Sequence, residues 1–308
     1  MKVLIVAKHK NNFIGGITPF VREQAEALEK CGVEIDYYLI EGNGLCAYFN
    51  TKGLIDKIHS FKPDVIHAHY GLSGITAVLQ KEVPVVTTFH NGETLSWYVN
   101  VLCSWFSRRA NHVIYVAQHI RDKSIFKADN YAIMPCGVNL SEIVLTPQSE
   151  ARKQLSFNPD KKYILFGGAF SNLRKNYPLL QKAIELTGRD DIEVLEMRNM
   201  NRQQVTLAMC ACDLFALPTK SEGSPQALKE AMACNCPIMA TDVADIKHLL
   251  GEVAGHYICS YNPQEVATTI EKALQFNGRT EGRKRIEQLQ LDNSQIAKKL
   301  IDIYKTII

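Results

Sequence analysis

Short apolar runs alternate with segments of helical periodicity along the whole chain, and this alternation restricts the fold more than any other feature. Val3 to Ala7 is a continuous apolar run, as expected of a central parallel strand covered on both faces. Thr18-Pro19 opens a helical pattern that reaches about Lys30 and closes near Gly32, and a second strand is expected from Val33 to Ile40. The same order continues with helices over Leu54 to Phe61, Gly74 to Gln80 and Ser96 to Asn111. Between and after them, strands are expected at Val65 to Ala68, Val85 to Phe89, Val113 to Val116 and Tyr131 to Met134. Such alternation calls for an open parallel sheet with helices on both faces.

After Gly137 the pattern weakens through Thr146-Pro147-Gln148-Ser149, and a second set begins at Tyr163 to Phe166. Its further strands are expected near Ile192 to Leu195, Leu214 to Leu217, Ile238 to Ala240 and His256 to Ile258. They alternate with helices over Pro178 to Thr187, Arg202 to Ala211, Pro225 to Ala233 and Pro263 to Gln275. The sequence therefore reads as α/β, with two consecutive Rossmann-like, doubly wound domains over 1–145 and 146–290 and an amphipathic helix, Ser294 to Ile307, in the remaining 291–308. A ligand is expected in a cleft across which the carboxyl ends of the two sets of strands face. At 308 residues and 46% hydrophobic content, the chain can fill two cores.

Composition removes several classes of function. A net charge of +3 gives no dominant field, so neither nucleic acid nor a strongly anionic surface is indicated as a partner. The first apolar run is too short for a signal peptide, and no stretch approaches the roughly 18 apolar residues of a membrane span, so a cytosolic protein is expected. Nine cysteines, an odd number, then suit reduced thiols, most of them small buried apolar residues. The pairs Cys210-Ala211-Cys212 and Cys234-Asn235-Cys236 lack the spacing of a structural zinc site, and no metal is expected.

The most informative stretch for function is Ser221-Glu222-Gly223-Ser224-Pro225-Gln226-Ala227-Leu228-Lys229-Glu230 and the residues after it. Ser224 suits an N-cap and Pro225 the first helical position, so Glu222 falls in the loop before a helix and Glu230 in its second turn. The two carboxylates cannot form a side-by-side acid pair. With Gly223 admitting a ligand to the backbone, they can bracket a polar ligand whose phosphates face the helix amino terminus.

Taken whole, this stretch resembles the E-x7-E signature of the retaining glycosyltransferases of family 4, down to Glu230-Ala231-Met232-Ala233-Cys234 and the strand-opening Pro237. Further segments resemble the same family in the right order: Gly15-Gly16, the run from Lys62 to His69, the run from Val83 to His90, Met134 to Asn139, and Arg174-Lys175-Asn176. The resemblance implies a GT-B fold, with the last helix packing back on the first domain. It also implies transfer of a sugar from a nucleotide-diphosphate donor to a glycan or lipid-linked acceptor, with retention, in surface polysaccharide assembly at the inner face of a membrane. The nucleotide sugar is then a substrate, and no cofactor is expected.

Residue by residue, the resemblance makes Glu230 the ribose ligand and Glu222 the sugar ligand, with Gly223 and Ser224 beside the donor. Gly16 would reach the donor phosphate, and His90, at the end of a strand, would meet the reacting region. Lys175 and Arg174 would face the departing diphosphate, where fixed cations replace a metal; the chain contains no Asp-x-Asp. His90, Glu222 and Lys175 are thus the expected catalytic set. Many relatives carry an Arg directly after the Gly167-Gly168 turn, whereas this chain has Ala169. A nucleotide-sugar epimerase, or a catalytically weak nucleotide-sugar binder, is the alternative. His67 and His69 read as structural. Trp97, Tyr98, Trp105 and Phe106 read as core, with a peripheral membrane contact leading into Arg108-Arg109 as the competing role.

Overall fold

The computed structural model describes residues 1–11 and 13–308 and divides the chain into two compact units, 1–137 with 293–308, and 138–292. The change of unit thus falls before residue 145, because Val138 and Asp292 already pair as a parallel bridge and Val138 N–H donates to Leu291 O at 2.8 Å.

The first unit contains β1 (Lys2–Lys8), α1 (Pro19–Lys30), β2 (Glu34–Ile40), α2 (Lys52–Phe61), β3 (Val65–His69) and α3 (Gly71–Leu79). It continues through β4 (Val85–Phe89), α4 (Trp97–Ser107), β5 (His112–Tyr115), α5 (Gln118–Lys123) and β6 (Tyr131–Ile133). All of its strand pairs are parallel, in the order β2-β1-β3-β4-β5-β6. Every residue of β3 and β4 is buried, the consequence of helices on both faces.

The second unit contains α6 (Gln148–Gln154), β7 (Lys162–Phe166), α7 (Tyr177–Thr187), β8 (Ile192–Glu196), α8 (Arg202–Ala211) and β9 (Leu214–Leu217). After these come α9 (Gln226–Ala233), β10 (Ile238–Thr241), α10 (Ile246–Leu250), β11 (His256–Cys259), α11 (Pro263–Leu274) and α12 (Gly282–Gln288). Its parallel sheet has the order β11-β10-β9-β7-β8. Asn201 and Gln204 close a reciprocal capping box on α8, each hydrogen bond 2.9 Å long. The final helix, α13 (Asn293–Lys305), returns to the first unit, where it packs on α1.

Two sequence expectations are overturned here. Ser224 does not cap α9: Pro225, with ψ at 116°, is itself the residue before the first helical position, and the helix starts one residue later, at Gln226. Of the α4 aromatics only Phe106, partly buried against the core cluster of the first unit, packs as expected; the other three do not. Trp97, Tyr98 and Trp105 are 75%, 57% and 48% exposed. The helix instead buries Asn100, Cys103, Ser104 and Ser107. Close approach to α3 demands a small residue at Cys103, since a Cβ placed on Gly71 would lie 2.7 Å from its Cβ, while Asn100 and Ser104 bond the backbone of Lys123, Ile125 and Phe126.

The two Cys-x-Cys segments meet before β9 and β10, with Cys212 Sγ 3.3 Å from Cys236 Sγ. The half-buried Arg279 donates to the carbonyls of Met209, Cys212 and Cys234 around them. Cys31 and Cys46 are exposed, unlike the remaining thiols. Among the described residues no group of three or more His, Cys, Asp or Glu side chains is arranged to hold a metal ion. No helix among them is long and apolar enough to cross a membrane.

Candidate functional site

In the second unit, the loops after β7 and β9 bring Lys175 and Glu222 together. Lys175 Nζ donates to Glu222 Oε1 at 2.7 Å, and Thr219 Oγ1 donates to the same oxygen at 2.9 Å. Both charged side chains are largely buried, at 14% and 9% exposure. Gly168 makes this possible: a Cβ there would stand 2.8 Å from Lys175 Cγ, so the lysine stem lies where any other residue would put its side chain. The loops are also joined through the Arg174 carbonyl, which accepts from Lys220 N–H at 2.9 Å. Arg174 itself is exposed, so its backbone ties the site while its guanidinium lies at the surface.

Glu230 sits one turn into α9, apart from Glu222, and its Oε1 lies 3.3 Å from Arg202 at the start of α8. Burial raises its carboxyl above the ordinary glutamate value, with Arg202 and Lys229 pulling the other way. Lys229 is fully buried, and its Nζ lies 3.3 Å from Ser224 Oγ. Its stem thus folds back under the Gly223-Ser224 loop. Sequence reasoning passed over Arg202, Lys229 and Thr219, because none of the three stands out by spacing; the buried carboxylate and hydroxyl partners identify them.

In the first unit, His90 follows β4, and its backbone N–H donates to Glu93 at 3.1 Å and 3.3 Å. Glu93 is buried and also accepts from Gly71 N–H at 2.7 Å, which clamps the loop after β4 onto the start of α3. The His90 ring packs on Phe20 and Tyr70, with centroids 5.0 and 4.7 Å away. His69 Nδ1 lies 3.2 Å from His90 Nε2, and Cys136 Sγ lies 3.8 Å from His90 Nδ1. Gly16 closes the loop after β1, accepting from Lys10 N–H at 2.9 Å. Its φ of +71° and the His9 ring, 2.2 Å from where a Cβ would stand, both demand glycine. Lys10 hangs over the Tyr70 ring at 4.9 Å, and burial lowers the pKa of its ammonium.

The structure therefore joins Lys175 to Glu222 directly, sets Glu230 separately with Arg202, and places Gly223 and Ser224 on the loop between them. Gly16 and His90 belong to the other unit.

Two parallel, doubly wound sheets, the second with the buried Lys175–Glu222 pair on loops beyond its strands, define the class: the chain has the two-domain GT-B fold. A family model described as Glycosyltransferase Family 4 matches residues 39–142, and one described as Glycosyl transferases group 1 matches residues 150–275. Together the two matches support a GT-B glycosyltransferase of the family 4 type. It is 26% identical over 68% of its length to a Bacillus subtilis glycosyltransferase assigned to teichuronic acid biosynthesis, and the match spans 61% of that relative. It is 22% identical over 77% of its length to the D-inositol 3-phosphate glycosyltransferase of Pseudarthrobacter chlorophenolicus, covering 76% of it. Sucrose-phosphate synthase from Thermosynechococcus elongatus superposes with a TM-score of 0.79 at 18% identity, over 99% of this chain and 98% of that one. Anabaena HepE, in complex with UDP and glucose, gives 0.77 at 14% identity over 99% of this chain and 100% of its own.

Proposed function

We propose that this protein moves a sugar from a nucleotide-diphosphate sugar to a glycan or lipid-linked acceptor, with retention at the anomeric carbon and without a metal ion. The observation that carries the reading is the Lys175–Glu222 pair, 2.7 Å long and largely buried, on loops beyond the carboxyl ends of two adjacent parallel strands. Doubly wound sheets bind ligands at that edge. UDP and UDP-glucose, each present in a structure of Anabaena HepE, supply the donor chemistry to try first.

On this reading Lys175, with Arg174 at the surface beside it, balances the charge that grows on the departing diphosphate. Glu222 accepts hydroxyls of the donor sugar, Glu230 those of the ribose, and the Gly223-Ser224 backbone lies beside the donor. The bond from the anomeric carbon to the diphosphate oxygen breaks, and the acceptor oxygen bonds to that carbon on the same face. The acceptor proton passes to a diphosphate oxygen, so no side chain need act as covalent nucleophile. Gly16 is read as a contact to the donor phosphate and His90 as a contact to the reacting sugar. A membrane-borne acceptor suits the exposed Trp97, Tyr98 and Trp105 of α4, followed by the exposed Arg108 and Arg109. Surface polysaccharide assembly at the cytoplasmic face is the corresponding setting.

Calorimetric titration with UDP-, GDP-, ADP- and TDP-sugars, followed by transfer assays with and without EDTA, tests this reading. Donor binding and chelator-resistant transfer are expected; abolition by EDTA with rescue by a divalent ion overturns metal independence. Ala169 favours one second reading, a catalytically weak nucleotide-sugar binder, because a small apolar side chain stands where many relatives carry an arginine. Donor binding without turnover on any acceptor marks that outcome. Isomerisation of donor in the absence of acceptor marks an epimerase.

A further inference from the structure

His67, His69, Thr88 and His90 share one face of the adjacent strands β3 and β4 and the residue just after β4, since alternate residues of a strand point the same way. Tyr304 of α13 reaches this face, its hydroxyl 2.6 Å from His67 Nδ1, while His67 Nε2 lies 2.7 Å from Thr88 Oγ1. His69 stacks on His67 with ring centroids 4.4 Å apart. Toward His90 its geometry differs: the centroids are 5.4 Å apart and the planes 22° apart, while Nδ1 and Nε2 approach to 3.2 Å. The two rings therefore meet nearly edge to edge, as a straight N–H···N hydrogen bond requires.

Which nitrogen donates follows from the far side of His69. Its Nε2 is buried and has no hydrogen-bond partner among the described residues. A proton there would be an orphaned buried donor, the rarer and costlier defect, whereas a bare lone pair is better tolerated. His69 thus carries its proton on Nδ1 and donates it to His90 Nε2. Burial pushes the His69 pKa down to about 3, so the ring is neutral and has this one proton to give. His90 Nε2 must then be the acceptor, and the neutral His90 ring holds its proton on Nδ1, on the side of Cys136.

We infer that His69 is a positioning residue that fixes His90 in its Nδ1–H tautomer and casts it as a neutral hydrogen-bond donor rather than a proton shuttle. A second proton on His90 Nε2 would break the bond to His69 or force the orphaned donor into existence. Through His67 and Tyr304, the last helix buttresses the same row. The inference rests on the proposed role of His90 only for its effect on turnover; the tautomer stands independently of it.

Nitrogen-15 NMR of the full chain labelled at histidine, with the His90 signals assigned by their loss in His90→Ala, reads the tautomer directly. The wild type is expected to show a protonated Nδ1 and a bare Nε2 at His90; a protonated Nε2 overturns the inference whatever the variants do. His69→Phe should remove the preference, and His69→Asn, whose amide N–H stands near the position of Nδ1, should restore it. In transfer assays His69→Phe is expected to lower kcat at least tenfold with donor KM unchanged, and His69→Asn to recover most of the loss. An equal kcat loss in both variants reduces His69 to packing and overturns its positioning role. If the tautomer is as inferred but His90→Ala transfers at the wild-type rate, the proposed role of His90 fails instead.

Discussion

Lys175 Nζ and Glu222 Oε1 stand 2.7 Å apart, so the cation expected to meet the diphosphate and the acid expected to hold the sugar neutralise each other when no donor is bound. The pair is largely buried, and a donor that uses both groups exchanges it for contacts of its own. The arrangement is preorganised: the ammonium is already fixed by Gly168 beneath it and by Thr219 across the carboxylate.

Removing one partner of that pair should therefore harm stability as well as turnover. Lys175→Met leaves the Glu222 carboxylate with Thr219 and is expected to cost about 3 kcal/mol in urea unfolding. Turnover should fall by about 100-fold or more, because the departing charge loses its counter-ion. The double variant Lys175→Met with Glu222→Gln should regain much of the stability and none of the turnover. If the two single losses of stability simply add, the pair is not coupled.

Glu230 gives a pH signature. Burial raises its carboxyl, so on acidification it becomes protonated at a higher pH than an exposed glutamate. If its carboxylate holds the ribose, nucleotide affinity should decline from above the ordinary glutamate value of about 4.3, and Glu230→Gln should flatten that part of the curve. Glu230→Ala should weaken nucleotide binding by about 10- to 100-fold, the size of a charge-assisted hydrogen bond. Calorimetry between pH 4 and 7 checks both, and unchanged affinity in Glu230→Ala removes the ribose role.

The α4 aromatics give a surface signature. Trp105 touches Phe126 edge to face at 5.2 Å, and Ile125 beside it is 51% exposed, so the apolar patch spans α4 and the turn after α5. Lys123, Lys127, Arg108 and Arg109 lie exposed nearby. Trp97→Ser with Trp105→Ser should abolish sedimentation with vesicles containing phosphatidylglycerol while leaving nucleotide affinity intact. Wild-type protein that fails to sediment at low salt refutes the membrane contact.

Much of the fold is written in the apolar runs. Val3 to Ala7 and Val85 to Phe89 can only be strands covered on both faces, and they are. The short helices α5, α6, α10 and α12 escaped notice for a physical reason. Gln118–Lys123 and Gln148–Gln154 are almost wholly polar and carry no 3.6-residue stripe, so tertiary packing decides their state. Hydrophobicity alone assigns Trp97 and Trp105 to the core, whereas the approach of α3 at Gly71 leaves α4 room there only for a side chain as small as Cys103. In the site, Glu222 and Lys175 were legible from local motifs. Their mutual bond was not, since it joins residues 47 apart in sequence. His69 shows the same limit: alternation put it on one face with His67, but only the packed sheet reveals its bond to His90.

Buried neutral histidines should also make the protein acid-sensitive. Burial pushes His69 down to about 3 and His67 well below its ordinary value, and the positive charge of a protonated neighbour would add to the effect at His67. Both bind protons in the unfolded chain near pH 6.5 and not in the folded one, so the stability they contribute is full above that pH and is lost as pH falls toward the folded values. Between pH 7 and pH 5 each should cost about 2 kcal/mol. Glu93 and Glu230, whose carboxyls burial raises, act in the opposite sense, gaining protons in the folded state as pH falls. Their window extends upward from the ordinary carboxylate range, so they offset part of the histidine loss. Urea unfolding at pH 7, 6 and 5 should show the free energy falling by several kcal/mol, while His67→Phe, if it folds, should flatten the slope by about one proton. A profile level from pH 7 to 5 contradicts the burial of these rings as neutral groups.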